Sequence, residues 1–396
     1  MRLRIRPSAF SVRGILKMAL SASLLLGGLC ASASGQTPPA NEPGDIHGGI
    51  EISADGVKAV AIRISQGEEG PGAKLVYSEF VRLPLGRASS GGFKPQAALD
   101  AAQTVLKLLT QLGQQHRIPS ERIYLIGSSE LGADPPEDLA GAVSKMTGKT
   151  LTFLDPETEI QLRIVGTVPR RERFGSTWTD RRNSSMLIDI GSNNTKAGYQ
   201  LLKHSLPSPP RYDFVSTNIP QGTVNYSNEI RRALGETSDW LTFAKSANAL
   251  SGGRFREALR KEWESKPGLL NRKRVYLTGG IAWALATLLY PEKRQTYIPI
   301  RAEDIALFVS KVAQDPKFNP DLSQISDREL RQEVGQELIA VRSSFTPDQL
   351  MAGAELLRTI SSELKWQEKQ ILFARFGHLG CILSYIRLQI EKQIEK

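Results

Sequence analysis

Two short segments of this 396-residue chain have the make-up of phosphate-binding turns. In the clearer one, Met186, Ile188 and Ile190 alternate with Leu187 and Asp189, and Gly191-Ser192-Asn193-Asn194-Thr195 follows. A returning strand pattern then covers Lys196 to Leu202. In such a turn, backbone N–H groups and hydroxyls converge on a phosphate. An acid at position 189 can hold Mg²⁺, directly or through water, against phosphate oxygens. Ser53-Ala54-Asp55-Gly56 repeats the plan near the start of the folded sequence. Taken singly, most Asp-x-Gly segments are only turns. Two in register along one chain carry more information.

Three further groups qualify. Ser128-Ser129 ends an apolar stretch and supplies either phosphate donors or helix caps. Gly279-Gly280 lies where a strand pattern passes into a helical one. Glycines there either open a helix N-terminus to an anion or let helix and strand pack closely. Glu159 lies early in a helix that Pro156 opens. It suits a general base toward water if it faces a cleft, or a partner for the helix dipole.

These residues need a frame. Val60, Ile62 and Ile64 alternate as a strand, Leu75 to Leu85 gives its partner, and Gly-Glu-Glu-Gly-Pro-Gly at 67–72 is the turn between them. Ala98, Ala101, Val105, Leu108, Leu109 and Leu112 fall at helical spacing. Arg122 to Ile126 and Thr150 to Leu154 read as strands, with a helix between them on Leu139, Val143 and Met146. This alternation argues for an α/β unit. A second unit opens in the same style at Met186, with strands at Tyr212–Ile219 and Arg274–Leu277. From 301 onward the pattern is mostly helical, and Thr346-Pro347-Asp348 is a strong helix start. The stretch 168–185 reads as a boundary rich in arginine: either a solvated linker or a basic rim that steers a polyanion.

Composition sets limits. Arg2, Arg4, Arg6, Arg13 and Lys17 precede an apolar run from Met18 to Leu29, and Ala31-Ser32-Ala33 follows as a small-x-small site. That is the pattern of a secretory signal peptide over 1–35. An uncleaved anchor is the alternative, although the run is short for a span. Residues 36–48, rich in Pro and Gly, read as a flexible tether. The leader carries five basic and no acidic residues, so its removal lowers the formal charge from +10 to +5. Cys381 is then the one thiol left, which excludes an internal disulfide. The four histidines are scattered, with no metal-ligand spacing.

In their order, these segments resemble the exopolyphosphatase/guanosine-pentaphosphate phosphatase (Ppx/GppA) family of the actin, sugar kinase and Hsp70 superfamily, from about Gly49 to Leu383. Glu51-Ile52-Ser53-Ala54-Asp55-Gly56 resembles the family's first phosphate loop, with Glu51 in the place of its acid. Asp189 to Lys196 resembles the second loop, and Asp189 and Gly191 match it. Lys196 stands where the family has an acid, and Gly132 where it has a phosphate-binding arginine. Glu157 to Gly166 resembles the segment of the catalytic glutamate, which places Glu159 on the water-activating residue. Leu277 to Ile281 resembles a further glycine motif, and Pro347 to Leu357 a helix that closes back onto the first domain.

The resemblance implies an α/β fold of two actin-like (ribonuclease H-like) domains around a central cleft, with a helical C-terminal region. The domains are expected at 49–180 and 186–300, with C-terminal helices over 301–396. It implies Mg²⁺ held by Asp189 and Glu51, and polyphosphate or another phosphorylated anion as substrate. The signal peptide adds an exported location. The alternative is a member that no longer catalyses and binds a phosphorylated ligand or a protein partner. No nucleic-acid signal and no membrane span in the mature chain are expected, and a homodimer is compatible with both readings.

Overall fold

A computed structural model describes residues 45–67, 70–83, 85, 95–131, 137–169, 171–174, 177–203, 211–235 and 239–394. The expected leader, tether residues 36–44 and Gly132 lie outside them. The chain divides into two compact units. The first takes Met1–Gly127, Pro135–Thr152 and Gln389–Lys396, and the second Ser128–Asp134 and Phe153–Leu388.

In the first unit, β1 (Asp45–Ser53), β2 (Gly56–Gly67) and β3 (Gly70–Arg82) form a meander, followed by α1 (Pro95–Gln115), β4 (Ile123–Gly127), α2 (Glu137–Thr147) and β5 (Thr152–Phe153). The sheet order is β3-β2-β1-β4-β5, with β1 antiparallel to β2 and parallel to β4. Helix α1 buries Ala98, Ala101, Ala102, Val105, Leu108 and Leu112, so Ala102 rather than Leu109 completes its inward stripe. The expected tether ends earlier than 48, because Asp45–Gly48 already belong to β1. Their polar and glycine-rich composition hides a strand that pairs Asp45 to Ile64. A Cβ on Gly48 would touch Leu112 and Ile123 at 3.3 Å.

The second unit opens with α3 (Pro156–Thr167), the hairpin β6 (Arg171–Phe174) and β7 (Thr177–Asp180), and the short α4 (Arg181–Ser184). Then come β8 (Ser185–Ile190), β9 (Thr195–Lys203), β10 (Arg211–Ile219), α5 (Thr223–Leu234), α6 (Trp240–Leu250), α7 (Arg256–Ser265), α8 (Gly268–Asn271), β11 (Arg274–Gly279) and α9 (Gly280–Leu289). It closes with β12 (Tyr297–Ile300), α10 (Ala302–Gln314), α11 (Arg328–Ser344), α12 (Pro347–Glu363), β13 (Gln370–Ala374) and the start of α13 (Gly380–Ile394), whose residues from Gln389 count with the first unit. The sheet order β10-β9-β8-β11-β13-β12 repeats that of the first unit and adds an edge strand. Strand β13 interrupts the region from 301 onward that was expected to be mostly helical; the apolar run Ile371-Leu372-Phe373 is too short to be told from helix by periodicity.

The sheet of the second unit is covered on both faces. On one, Met186, Ile188, Ile190, Val275 and Leu277 join the large core that reaches α5, α9 and α12. On the other, Leu187, Tyr276 and Leu372 pack against Ile160 and Ile164 of α3 and Val168 just after it. That apolar seam is why α3 groups with the second unit and not with the domain expected to end at 180. Helix α12 begins, as expected, with a capping box between Thr346 and Gln349 and with Pro347 in its first turn. It packs on α5, α9 and α10 within this unit, and Gly353 lets it approach Ile281.

Cutting the seam of α3 tests this assignment. Ile164→Ala is expected to destabilise the chain by about 2–5 kcal/mol, the range for emptying a buried isoleucine site, read from the urea midpoint.

Candidate functional site

The site grows from strand register. Asp189 of β8 lies directly opposite Lys196 on one side and Thr278 of β11 on the other. Directly opposed residues share a sheet face, here the face that carries Leu187 and Tyr276 and lies under α3. Asp155 caps α3 by accepting from Thr158 N at 2.8 Å, and Pro156 follows in the first turn. Glu159 and Arg163, one helical turn apart, therefore point with Ile160 and Ile164 toward the sheet. Gly198 makes room for them: a Cβ there would press on Ile164 at 3.2 Å and Ile160 at 3.3 Å.

Glu159 is fully buried, and both its oxygens are taken. Oε1 accepts from Lys196 Nζ at 2.6 Å and from the Arg163 guanidinium at 2.7 Å. Oε2 accepts from Ser129 N at 2.8 Å, Ser129 Oγ at 2.6 Å and Ser128 Oγ at 3.1 Å. A carboxylate offers about four lone-pair positions, and five donors converge on this one. Burial acts to raise its pKa. The Lys196 and Arg163 charges, with hydrogen bonds from Lys196 and Ser129, outweigh it and hold the carboxyl well below its ordinary 4.5.

Lys196 is also fully buried. Besides Glu159, its ammonium lies 3.7 Å from Asp189 Oδ2 and 3.8 Å from Glu130 Oε1. Burial acts to lower its pKa, but Glu159, Glu130 and Asp189 together raise it to about 12. Asp189 Oδ1 accepts from Thr278 Oγ1 at 2.8 Å and faces Arg163 at 3.4 Å. Glu130 sits in the short 3₁₀ turn Ser129–Leu131 and reaches the second turn. A Cβ on Gly191 would lie 1.9 Å from its Oε1.

The turn itself is tied to α5. Thr223 N donates to Gly191 O at 3.0 Å and Val224 N to Ser192 O at 2.8 Å. Asn225 Nδ2 donates to Asn193 O at 2.7 Å, and Thr195 Oγ1 to Gln221 O at 2.7 Å. Gly191 N closes the turn on Asn194 O at 2.9 Å. Gly279 has φ +97°, and a Cβ there would strike Ile190 O at 2.2 Å, so the junction into α9 requires glycine. Gly280 carries Phe345 at 3.0 Å from its own Cβ position.

Asp189, Glu159, Ser128, Ser129, the turn 191–195 and Gly279-Gly280 thus all belong to the second unit. Ser53, Ala54, Asp55, Gly56 and Glu51 belong to the first. There, Ala54-Asp55 is a tight two-residue turn between β1 and β2, and Ser53 Oγ donates to Gly56 O at 3.2 Å.

The contacts bear on several of the expected residues. Glu159 keeps its place on α3, with both oxygens engaged by five donors. The Ser128 and Ser129 donors are spent on Glu159. The implied Mg²⁺ does not fit the residues expected to hold it. Asp189 already faces Lys196, Arg163 and Thr278, and Glu51 is ion-paired to Lys58 at 3.0 Å. Among the described residues, no group of three or more His, Cys, Asp or Glu stands ready for a metal.

Of the arginines in the boundary stretch, Arg182 spends its guanidinium on the C-terminal carbonyls of α3, Val165 O at 2.6 Å and Val168 O at 3.0 Å. Arg163, Glu130 and Thr278 were not singled out from sequence. An arginine flanked by Leu162 and Ile164, four residues after Glu159, was the signal for the first.

This ion set makes a sign-definite prediction. Glu159 has a folded pKa below 4.5, so its stabilisation is present above that pH and is lost as pH falls toward the folded value. Lys196 is raised from 10.5 to about 12, so its stabilisation is present below pH 10.5 and is lost as pH rises through 12. Glu159→Gln is expected to cost about 3 kcal/mol near neutral pH, the range for stranding the partners of a buried carboxylate. The gap between the two melting curves should narrow below pH 4.5.

No protein-family model matches the chain, and no curated protein sequence does. Solved structures do. An Aquifex aeolicus member of the Ppx/GppA family superposes with a TM-score of 0.55 at 16% identity, over 89% of this chain and 99% of that one. An exopolyphosphatase-like protein gives a TM-score of 0.59 at 13% identity, covering 87% and 99%. An exopolyphosphatase from Cytophaga hutchinsonii gives 0.51 at 12%, covering 83% and 94%. The chain therefore shares the fold of these structures, and its own two sheets have matching strand order.

Proposed function

We propose that this chain is an exported, exopolyphosphatase-like protein that binds a phosphorylated anion without hydrolysing it. The observation that carries this reading is the state of Glu159. In-line attack on a terminal phosphate needs a positioned water, a group to accept its proton, and a cation to offset charge. Glu159 is fully buried under five donors, two of them cationic. A carboxylate held so far below its ordinary pKa is a poor proton acceptor near neutrality.

Features suited to an anion persist beside it. Helix α9 starts at Gly279-Gly280 with no side-chain cap, and a helix N-terminus of that kind favours negative charge. The turn 191–195 is held in shape by α5. The formal charge of +5 after the leader favours the same sign of ligand. Among the described residues, no helix is long and apolar enough to cross a membrane.

Hydrolysis of polyphosphate is the second reading, favoured by the fold shared with an exopolyphosphatase-like protein and with an exopolyphosphatase. One assay separates the two. The chain without its leader is incubated with long-chain polyphosphate and Mg²⁺, beside a folded Glu159→Gln variant. The expected outcome is polyphosphate retained on the protein with no phosphate released above the protein-free control. Release that disappears in the variant would establish the hydrolase instead.

Export has its own test. Protein recovered from outside the cytoplasm should begin within a few residues of Ser34, by N-terminal sequencing; an intact Met1 there would refute cleavage.

A further inference from the structure

Three acidic side chains from three separate segments converge on one buried ammonium. Glu130 comes from the turn after β4, Glu159 from α3 and Asp189 from β8, and their oxygens stand 3.8, 2.6 and 3.7 Å from Lys196 Nζ. Asp189 and Glu159 are joined a second time through Arg163, at 3.4 and 2.7 Å. Two cations therefore face three carboxylates. The side chains of all five are nearly or wholly withdrawn from water, the most exposed being Glu130 at 8%.

Left without cations, such carboxylates would repel one another strongly at low effective dielectric. A set of this kind calls for protonation, a metal ion or an internal cation. The Lys196 ammonium is a compact point charge on a flexible stem. It occupies the centre of the acids, where a hydrated divalent cation would otherwise offset them.

We propose that Lys196 is a tethered replacement for a divalent cation, so that this centre assembles without metal, and that removing its side chain uncovers a cation site made by Glu130, Glu159 and Asp189. The proposal shares its residues with the non-hydrolytic reading but makes a separate demand, on cation binding rather than on phosphate release. Glu159 already lies within direct reach of the ammonium. Asp189 and Glu130, nearly 4 Å away, would act through water, as Mg²⁺ and Mn²⁺ sites often do. The lost methylene stem of Lys196 leaves the room for that water.

The experiment is Mn²⁺ binding by electron paramagnetic resonance, with thermal melting in parallel, on the leader-free wild type, Asp189→Asn, Lys196→Ala, and Lys196→Ala combined with Asp189→Asn. The wild type is expected to melt at the same temperature in chelator and in excess Mn²⁺, and to show no Mn²⁺ binding that Asp189→Asn removes. Lys196→Ala is expected to melt lower in chelator, to take up one Mn²⁺ per chain, and to regain stability with it. The double variant should lose that uptake. A folded Lys196→Ala that takes up no more Mn²⁺ than the wild type overturns the proposal. So does a wild type that Mn²⁺ stabilises through Asp189. If Lys196→Ala does not fold in chelator or in Mn²⁺, the wild-type comparison decides alone. Phosphate release by a wild type that binds no Mn²⁺ would defeat the non-hydrolytic reading and leave this one standing.

Discussion

The contact on which the rest of the second unit turns is the pairing of Glu159 with Lys196. One partner comes from a helix and the other from a strand, and neither is exposed to solvent. Breaking either one strands the other in a low-dielectric interior. The seam of Ile160, Ile164, Leu187 and Tyr276 brings α3 onto the sheet, but apolar packing is tolerant of small rotations and slides. Two charges 2.6 Å apart are not. The pair therefore sets the rotation of α3, and with it the position of the 128–131 turn, whose serines donate to the same carboxylate.

A buried ion set is weak evidence of net stability, because desolvation offsets most of the attraction and a well-packed apolar substitute is often as good. What it supplies here is definition. Asp189, Lys196 and Thr278 sit side by side because β8 pairs with β9 and β11 in one register. A slip of one residue would turn Asp189 and Lys196 into the apolar core on the opposite face. The same interactions that fix the register also engage Glu159 and Asp189.

Much of the fold was readable from sequence because its signals are local. The alternation around Met186–Ile190, the stripe of α1 and the capping box at Thr346 each lie within one element. The strand at Asp45–Gly48 was hidden, since its pattern is imposed by the partner strand β2. The placement of α3 was hidden for a similar reason: its apolar face says that it packs, not on which sheet. At the site, Asp189, Glu159 and the turn 191–195 could be found by type and position. Their meaning could not, because it depends on neighbours far apart in the chain. Glu130 and Lys196 are 66 positions apart and reach each other only through the sheet register and the turn after β4. Asp189 and Lys196, by contrast, are partners within one hairpin closed by the four residues 191–194, a local pairing that was not read from the sequence.

Gly198 couples the shape of this arrangement to its charges. Its missing side chain lets α3 lie close enough for Glu159 to meet Lys196, so the residue at 198 and the charges at 159 and 196 constrain one another. A single exchange at any of these positions passes through an interior with unbalanced charge or a displaced helix. An acid placed at 196 would put four carboxylates around one arginine, so a change of charge at that position demands a concerted change of its neighbours.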